Sequence, residues 1–207
     1  MLLANNINFK RNNKSILNDI NIALSPKKII HLTGENGVGK TTLLKILASI
    51  LEPEKGDLFW NGKNIKKNIF EYYKNLTFIM DQPSANNILT VSDNIFFWCK
   101  LFYSRITLKE IDSILKLLSL NDYKNTPVSN LSYGEIKKLE LCRLIIERKK
   151  LWILDEPFIG LDNKTLEIFN ETIKNHAELG GMVIFTSHIK SNVTNIEKME
   201  LENDKII

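Results

Sequence analysis

Residues 34–41 run Gly34-Glu35-Asn36-Gly37-Val38-Gly39-Lys40-Thr41, a complete G-x-x-x-x-G-K-[ST] pattern continued by Thr42. The β-branched pair Ile29 and Ile30 stands before it, and Leu43, Leu44, Ile46 and Leu47 follow at helical spacing. Strand, glycine-rich loop and helix in that order make a phosphate cradle. The glycines let successive backbone N–H groups curl around an anion, and the helix aims its positive dipole end at the same point. Lys40 would reach the β- and γ-phosphates of a nucleoside triphosphate, and the Thr41 hydroxyl would ligate Mg²⁺. Residues 34–42 are therefore expected to bind a nucleoside triphosphate.

A second element supplies acids. The apolar run Leu151-Trp152-Ile153-Leu154 ends in Asp155-Glu156. An aspartate at the end of a buried strand can hold Mg²⁺ opposite Thr41. Glu156 beside it can polarise a water for attack on the γ-phosphate. Gln82, at the end of another expected strand beside the phosphate loop, can offer a neutral amide oxygen to Mg²⁺ or water. Ser132 opens a helix whose unpaired N–H groups can bind an anion; Ser132 and Glu135 can equally do no more than cap that helix.

These residues need elements to place them. Ile16, Ile20, Ile22 and Leu24 alternate with mostly polar residues, the period of a half-buried antiparallel strand. Trp60-Asn61-Gly62-Lys63 carries a type I′ hairpin signal joining Asp57–Trp60 to Lys63–Ile65. The first third thus reads as an antiparallel β lobe interrupted by the phosphate loop and its helix. A strand over 76–80 stops at Pro83, and residues 90–148 are mostly helical, with capping boxes at Thr107–Glu110 and Ser132–Glu135. Leu151–Leu154 reads as a buried parallel strand. A helix over 163–178, the stop Gly180-Gly181 and a strand over 182–186 complete a βαβ unit, and residues 199–207 read as a closing hairpin around Asn203-Asp204.

The 207 residues suit one domain with ample core. No apolar run approaches the ~20 residues needed to span a bilayer, and the N-terminus lacks signal-peptide character. The chain is expected to be soluble or peripheral and to stay in the cytosol. Cys99 and Cys142 form no C-x-x-C pair, so neither a metal site nor a disulfide framework is indicated. The net charge of +4 is spread among acids, which argues against direct nucleic-acid binding.

Taken together these motifs resemble the ATP-binding-cassette ATPases over essentially the whole chain. The family signature stands as Leu131-Ser132-Tyr133-Gly134-Glu135, just ahead of a basic, amphipathic helix, the D-loop as Gly160-Leu161-Asp162, the Q-loop residue as Gln82 and the switch histidine as His188. The resemblance implies an α/β fold of the P-loop NTPase type: an antiparallel β lobe, a RecA-like core and a small helical subdomain at approximately 84–148, within a single domain over 1–207. It implies ATP and Mg²⁺ as ligands, Lys40, Glu156 and His188 as catalytic groups, and Thr41, Gln82 and Asp155 toward the metal. It implies a homodimer in which each phosphate loop faces the other subunit's Ser132 and Gly134. Tyr133 and Glu135 depart from the usual glycine and glutamine. Arg11 stands where many relatives stack an aromatic on adenine; a guanidinium can also stack on a base, which leaves base selectivity open. His31 and His176 match no motif and read as structural or surface residues.

Residues 151–158, the pair Gln82-Pro83 and the stretch Asn94-Ile95-Phe96-Phe97-Trp98 are similar to the ATP-binding subunit of the bacterial cytochrome c maturation haem exporter. That similarity implies integral-membrane partner subunits, a peripheral position on the cytoplasmic face of the inner membrane, and work in haem delivery or release of its periplasmic chaperone. Another small exporter is the alternative. Soluble cassette ATPases of the chromosome type carry a long coiled coil, and those of translation fuse two cassettes; neither feature is present. Ile95, Trp98 and Phe102 share one helical face suited to a core. Phe96 and Tyr103 fall on another, expected to receive a cytoplasmic helix of the membrane subunit.

Overall fold

Two sheets share the strands of the computed structural model, which describes residues 1–102, 104–189, 193 and 196–202. In chain order the elements are β1 (Leu2–Arg11), β2 (Lys14–Leu24), β3 (Ile29–Thr33), α1 (Lys40–Leu47), β4 (Lys55–Trp60), β5 (Lys63–Asn64), α2 (Ile69–Tyr73) and β6 (Leu76–Ile79). There follow α3 (Val91–Leu101), α4 (Leu108–Leu117), α5 (Tyr133–Glu147), β7 (Leu151–Leu154), α6 (Asn163–Glu178), β8 (Met182–Thr186) and β9 (Ile196–Glu200). A four-stranded sheet has the order β2-β1-β4-β5, its described pairs antiparallel. The five-stranded sheet runs β6-β7-β8-β3-β9 with every pair parallel.

The parallel strands alternate between two apolar clusters. Ile29, Trp152, Leu154, Val183 and Phe185 face the cluster built with α3–α6. Ile30, Leu32, Leu151, Ile153 and Ile184 face the one built with α1 and the antiparallel sheet. Burial on both faces is why these strands read as unbroken apolar runs. Both capping boxes form, at Thr107–Glu110 and Ser132–Glu135. Asn61 and Gly62 both take positive φ, 49° and 79°, as a type I′ turn requires. A second such turn, Asn12-Asn13 with φ 50° and 61°, joins β1 to β2. His31 stacks on Phe185 and His176 on Trp152, with ring centroids 4.6 and 3.7 Å apart, so both histidines are structural. Burial holds His176 down to about 4, neutral at pH 7.

Three expectations are corrected. The period of two along β2 breaks at a bulge, where Asp19 takes φ 50° and its carboxylate accepts from the side-chain amide of Asn6, itself at φ 53°. The phase shifts there, so Leu17 enters the core and Ile16 is only partly covered. The helix after the signature is not simply basic and amphipathic: Lys137, Glu140 and Glu147 of α5 are buried. Finally, Met199 and Glu200 belong to β9, which pairs parallel with β3, and the turn expected at Asn203-Asp204 lies outside the described residues. Among the described residues no helix is long and apolar enough to cross a membrane.

Gly56 lets β4 pass the bulge in β1. Its φ is 97°, and a Cβ there would lie 2.5 Å from the carbonyl oxygens of both Asn5 and Asn6. Gly56→Ala combines backbone strain with overpacking against immovable main chain and is expected to cost about 2–4 kcal/mol. Urea unfolding measures it; a loss under about 0.5 kcal/mol, typical of a neutral surface change, contradicts this account of the bulge.

Candidate functional site

The carboxyl ends of β3, β7 and β8 lie side by side, because these strands are parallel and adjacent in the sheet. Ligands of open parallel sheets bind along that edge. From β3 the chain passes into residues 34–39 and then α1, whose N-cap is Gly39 at φ 113°. A Cβ on Gly39 would lie 2.9 Å from Ile16 Cγ2 and 3.0 Å from Leu17 Cδ2. Glycine is therefore what allows β2 to press against the loop. The Lys40 ammonium donates to the carbonyls of Gly34 and Glu35 at 2.7 and 3.0 Å, which seats it within the turn. Val38 and Thr42 are buried beneath the loop.

β7 delivers Asp155 and Glu156 to the same edge. Asp155 is buried, and its Oδ1 accepts a 2.8 Å hydrogen bond from the Thr186 hydroxyl at the end of β8. That hydroxyl oxygen in turn accepts from the Glu156 N–H at 2.9 Å. Glu156 has φ 47°, a left-handed conformation uncommon for a side chain of its kind and held only where the surroundings impose it. Its Oε2 accepts the His188 N–H at 3.2 Å, and His188 Nε2 lies 3.4 Å from Oε1. Asn36, Gly37, Gly39, Lys40, Thr41 and Thr42 line a cavity of about 390 Å³ together with Asp155, Glu156 and His188.

Residues 17–159 match the family described as ABC transporter. The chain belongs to that family. It is 34% identical over 188 residues to the cytochrome c biogenesis ATP-binding export protein CcmA of Yersinia pestis, covering 91% of this chain and 86% of that protein. The protein of the same name from Reclinomonas americana is 36% identical over 195 residues, 93% and 86% of the two chains. The one from Legionella pneumophila is 35% identical over 188 residues, 91% and 92%. Among solved structures, an ATP-binding subunit of an ABC transporter superposes with TM-score 0.85 at 19% identity, covering 98% of this chain and 88% of that one. A dimeric ATP-binding cassette in a post-hydrolysis state with ADP and Pi superposes with TM-score 0.80, also at 19% identity, covering 98% and 97%. The fold is that of an ABC ATPase, and the chain is an ATP-binding, ATP-hydrolysing subunit of that family.

Within the ABC cassette Arg11 also reaches the cavity, from the tip of the β1–β2 hairpin, with the side chain of Ile16 beside it. A guanidinium face next to an apolar side chain can take a flat base. Lys45, one turn into α1, lines the cavity too. Sequence reasoning missed both Ile16 and Lys45, although the i, i+4 spacing from Thr41 could have found Lys45. It also missed the work of Thr186, whose position as the last residue of a buried strand was the available signal.

Gln82 corrects an expectation. It leaves β6, which β7 and β8 separate from β3, so it is not beside the phosphate loop within the sheet. Nor does it line the cavity. Ser132 and Gly134 are likewise absent from the cavity wall. Ser132 N-caps α5, with Glu135 Oε2 accepting from both its N–H and hydroxyl at 2.7 Å. Gly134 packs on the segment before α6, where a Cβ would meet the Gly160 carbonyl at 2.6 Å. Lys138 pairs with Asp162 at 2.6 Å, and this hydrogen bond, with that from Thr165 N–H, holds the Asp162 carboxyl at about 2.

The Thr41 hydroxyl and the Asp155 carboxylate are hard oxygen donors on one cavity. Among the described residues no group of three or more His, Cys, Asp or Glu gathers into a metal cage. The sparse donor pair suits Mg²⁺, which binds through one or two protein oxygens plus substrate phosphates. It would neutralise charge on the β- and γ-oxygens.

Lys40 and His188 should fail differently when removed. Lys40→Ala would remove the ground-state phosphate contact expected of this lysine, so the Kd for ATP is expected to rise roughly tenfold or more. His188→Ala is expected to lower kcat by roughly tenfold to a hundredfold with KM little changed. Nucleotide titration and steady-state kinetics separate the two; equal loss of affinity in both variants contradicts these roles.

Proposed function

We propose that this chain is the motor subunit of a membrane exporter serving c-type cytochrome assembly, peripheral to the cytoplasmic face of the inner membrane. The observation that carries the catalytic half is the cavity where Lys40, Thr41, Asp155, Glu156 and His188 meet. The relatives named for cytochrome c biogenesis support the other half. Export of haem, or release of its periplasmic chaperone, is the work the reading assigns.

Phosphoryl transfer requires little covalent help, so the protein contributes position and charge. The loop N–H groups and Lys40 would hold the β- and γ-phosphates, while Thr41 and Asp155 hold Mg²⁺. Glu156, fixed by Thr186 and His188, would accept a proton from the attacking water. His188 would donate toward the γ-phosphate. Ser132 and Gly134 stand outside this cavity, which supports a head-to-tail pair in which each N-terminus of α5 closes the other subunit's site.

A groove of about 660 Å³ supports a membrane partner. Ile50, Phe70, Tyr73, Met80 and Leu101 contribute apolar surface, with Ser84 of the Gln82 loop also on the wall. Phe70 is 84% exposed, and Lys74 and Lys149 add positive charge, Arg143 being paired with Glu140 and Glu147. A short amphipathic helix with acidic flanks, carried by a transmembrane subunit, fits this surface. Of the aromatic pair expected to receive this partner, Phe96 is exposed on α3 and does not line the groove, and Tyr103 lies outside the described residues.

Two measurements test the reading. Glu156→Gln should retain ATP, lose turnover by roughly a hundredfold or more, and form a dimer with Mg-ATP by light scattering; a strictly monomeric species at saturating ATP contradicts the paired site. Phe70→Ser with Met80→Ser should change stability by no more than about 1 kcal/mol, since the two side chains are largely or partly exposed. It should keep nucleotide binding and abolish co-purification with the membrane subunits. Undiminished co-purification places the docking surface elsewhere.

A further inference from the structure

Four of the charged side chains of α5, Lys137, Glu140, Arg143 and Glu147, are spaced three or four apart and therefore lie on one face. That face is turned inward. Lys137 is 0% exposed and Glu140 2%, although lysine and glutamate are almost never fully buried unless paired. Each finds its partner on the segment running from β6 through Gln82. The Lys137 ammonium donates to the Asp81 carbonyl and lies 3.7 Å from the Asp81 carboxylate. Glu140 Oε1 accepts the Ser84 N–H at 2.7 Å and the Ser84 hydroxyl at 3.1 Å. Arg143 donates to the Ser84 hydroxyl at 3.1 Å, and also pairs with Glu140 at 3.3 Å and Glu147 at 2.7 Å. Glu147 accepts from Thr77 of β6 at 2.7 Å. Gln82 itself is exposed, held from residues 81 and 84 on either side.

The other end of the same helix is the signature. Lys137 Nζ lies 5.6 Å from the centroid of the Tyr133 ring, so one buried cation touches both the segment leading to Gln82 and the first turn of α5. Such a buried ionic face is poor evidence for stability, because an apolar face of equal volume is often as stable. What it does supply is a fixed register between two pieces of chain.

We propose that Lys137 and Glu140 are positioning residues that clamp residues 81–84 to α5, so that Gln82 and the signature residues Ser132 and Gly134 move as one body. A displacement of residues 81–84 by a partner in the adjoining groove, whose wall includes Ser84, would thereby reach the anion-binding end of α5 that serves the opposite site. Neither side chain touches nucleotide; each acts through the segment it holds. This rests on the ATPase reading given above.

Lys137→Met tests the clamp. Methionine fills the buried slot without charge. The Asp81 carboxylate left behind is exposed to water, and Glu140 keeps Arg143 and Ser84 as partners. No uncompensated buried charge results, so folding should survive. The Kd for ATP of the monomer should stay within roughly twofold, while kcat falls by roughly tenfold to a hundredfold, the scale of misplaced catalytic geometry. Dimer formation with Mg-ATP in the Glu156→Gln background should weaken in parallel, and Lys137→Arg should restore most of the rate. A folded Lys137→Met protein with wild-type kcat overturns the proposal. So does an Arg variant as slow as the Met variant. A second measurement needs no clamp variant: amide hydrogen exchange of the Glu156→Gln protein with and without Mg-ATP. Residues 81–84 and the first turn of α5 should change protection together, and a change confined to one of them overturns the clamp. A wild-type chain that binds no Mg-ATP overturns the ATPase reading itself, an outcome distinct from wild-type hydrolysis unaffected by Lys137→Met.

Discussion

The Thr186 hydroxyl, 0% exposed, accepts from the Glu156 N–H and donates to the Asp155 carboxylate. One group thus ties the ends of two neighbouring strands and holds a glutamate in a left-handed backbone conformation. A buried hydroxyl without partners would cost about 1–3 kcal/mol, so satisfying it also fixes the acids. Valine is close in shape but has no hydroxyl; it would leave the Glu156 N–H and the Asp155 oxygen unsatisfied in a nearly dry place. The geometry at the sheet edge depends on this bridge more than on any one ion pair.

The bridge works only because the sheet beneath it cannot slip. β7 and β8 pair from Leu151↔Met182 to Leu154↔Phe185, and β8 pairs with β3 through Leu32↔Thr186. A shift of one residue would exchange the side chains facing α3–α6 with those facing α1. Trp152 and Phe185 would then meet the cluster that holds Leu43 and Leu44. Two packed faces therefore set the register, and register places Asp155, Thr186 and the start of the phosphate loop within reach of one another.

Much of this was legible one residue at a time. β7, α6 and β8 fall where apolar runs and the stop Gly180-Gly181 put them, and the capping boxes at Thr107 and Ser132 mark true helix starts. These signals are local: a cap is decided within four residues. What stayed hidden depends on distant chain. The bulge of Asp19 against Asn6 pairs two left-handed residues on different strands, and no period within β2 announces it. The parallel partner of β9 is β3, far away in sequence, so the tail read as a hairpin. Gln82 read as a neighbour of the phosphate loop because motif order says nothing of strand order. The burial of the charges on α5 stayed hidden because their partners, Asp81 and Ser84, belong to another element.

In the paired site proposed above, the first turn of α5 would supply the second half of a nucleotide site. The capping box occupies the N–H groups of Ser132 and Glu135. Among the described residues no hydrogen bond engages the N–H groups of Tyr133 and Gly134, so these are the orphan donors that an anion would meet. The Glu135 carboxylate, however, already sits on the Ser132 N–H and hydroxyl and answers the positive end of the helix. Burial opposes its charge, but the bonds from Ser132 and the nearby Lys138 keep its pKa below the usual carboxylate range. An incoming γ-phosphate would face that negative charge as well as the free donors. With a neutral amide at this position the approach would be less opposed. In the proposed pair the acid would therefore strengthen the cap of each separate subunit and weaken the phosphate's pull between two.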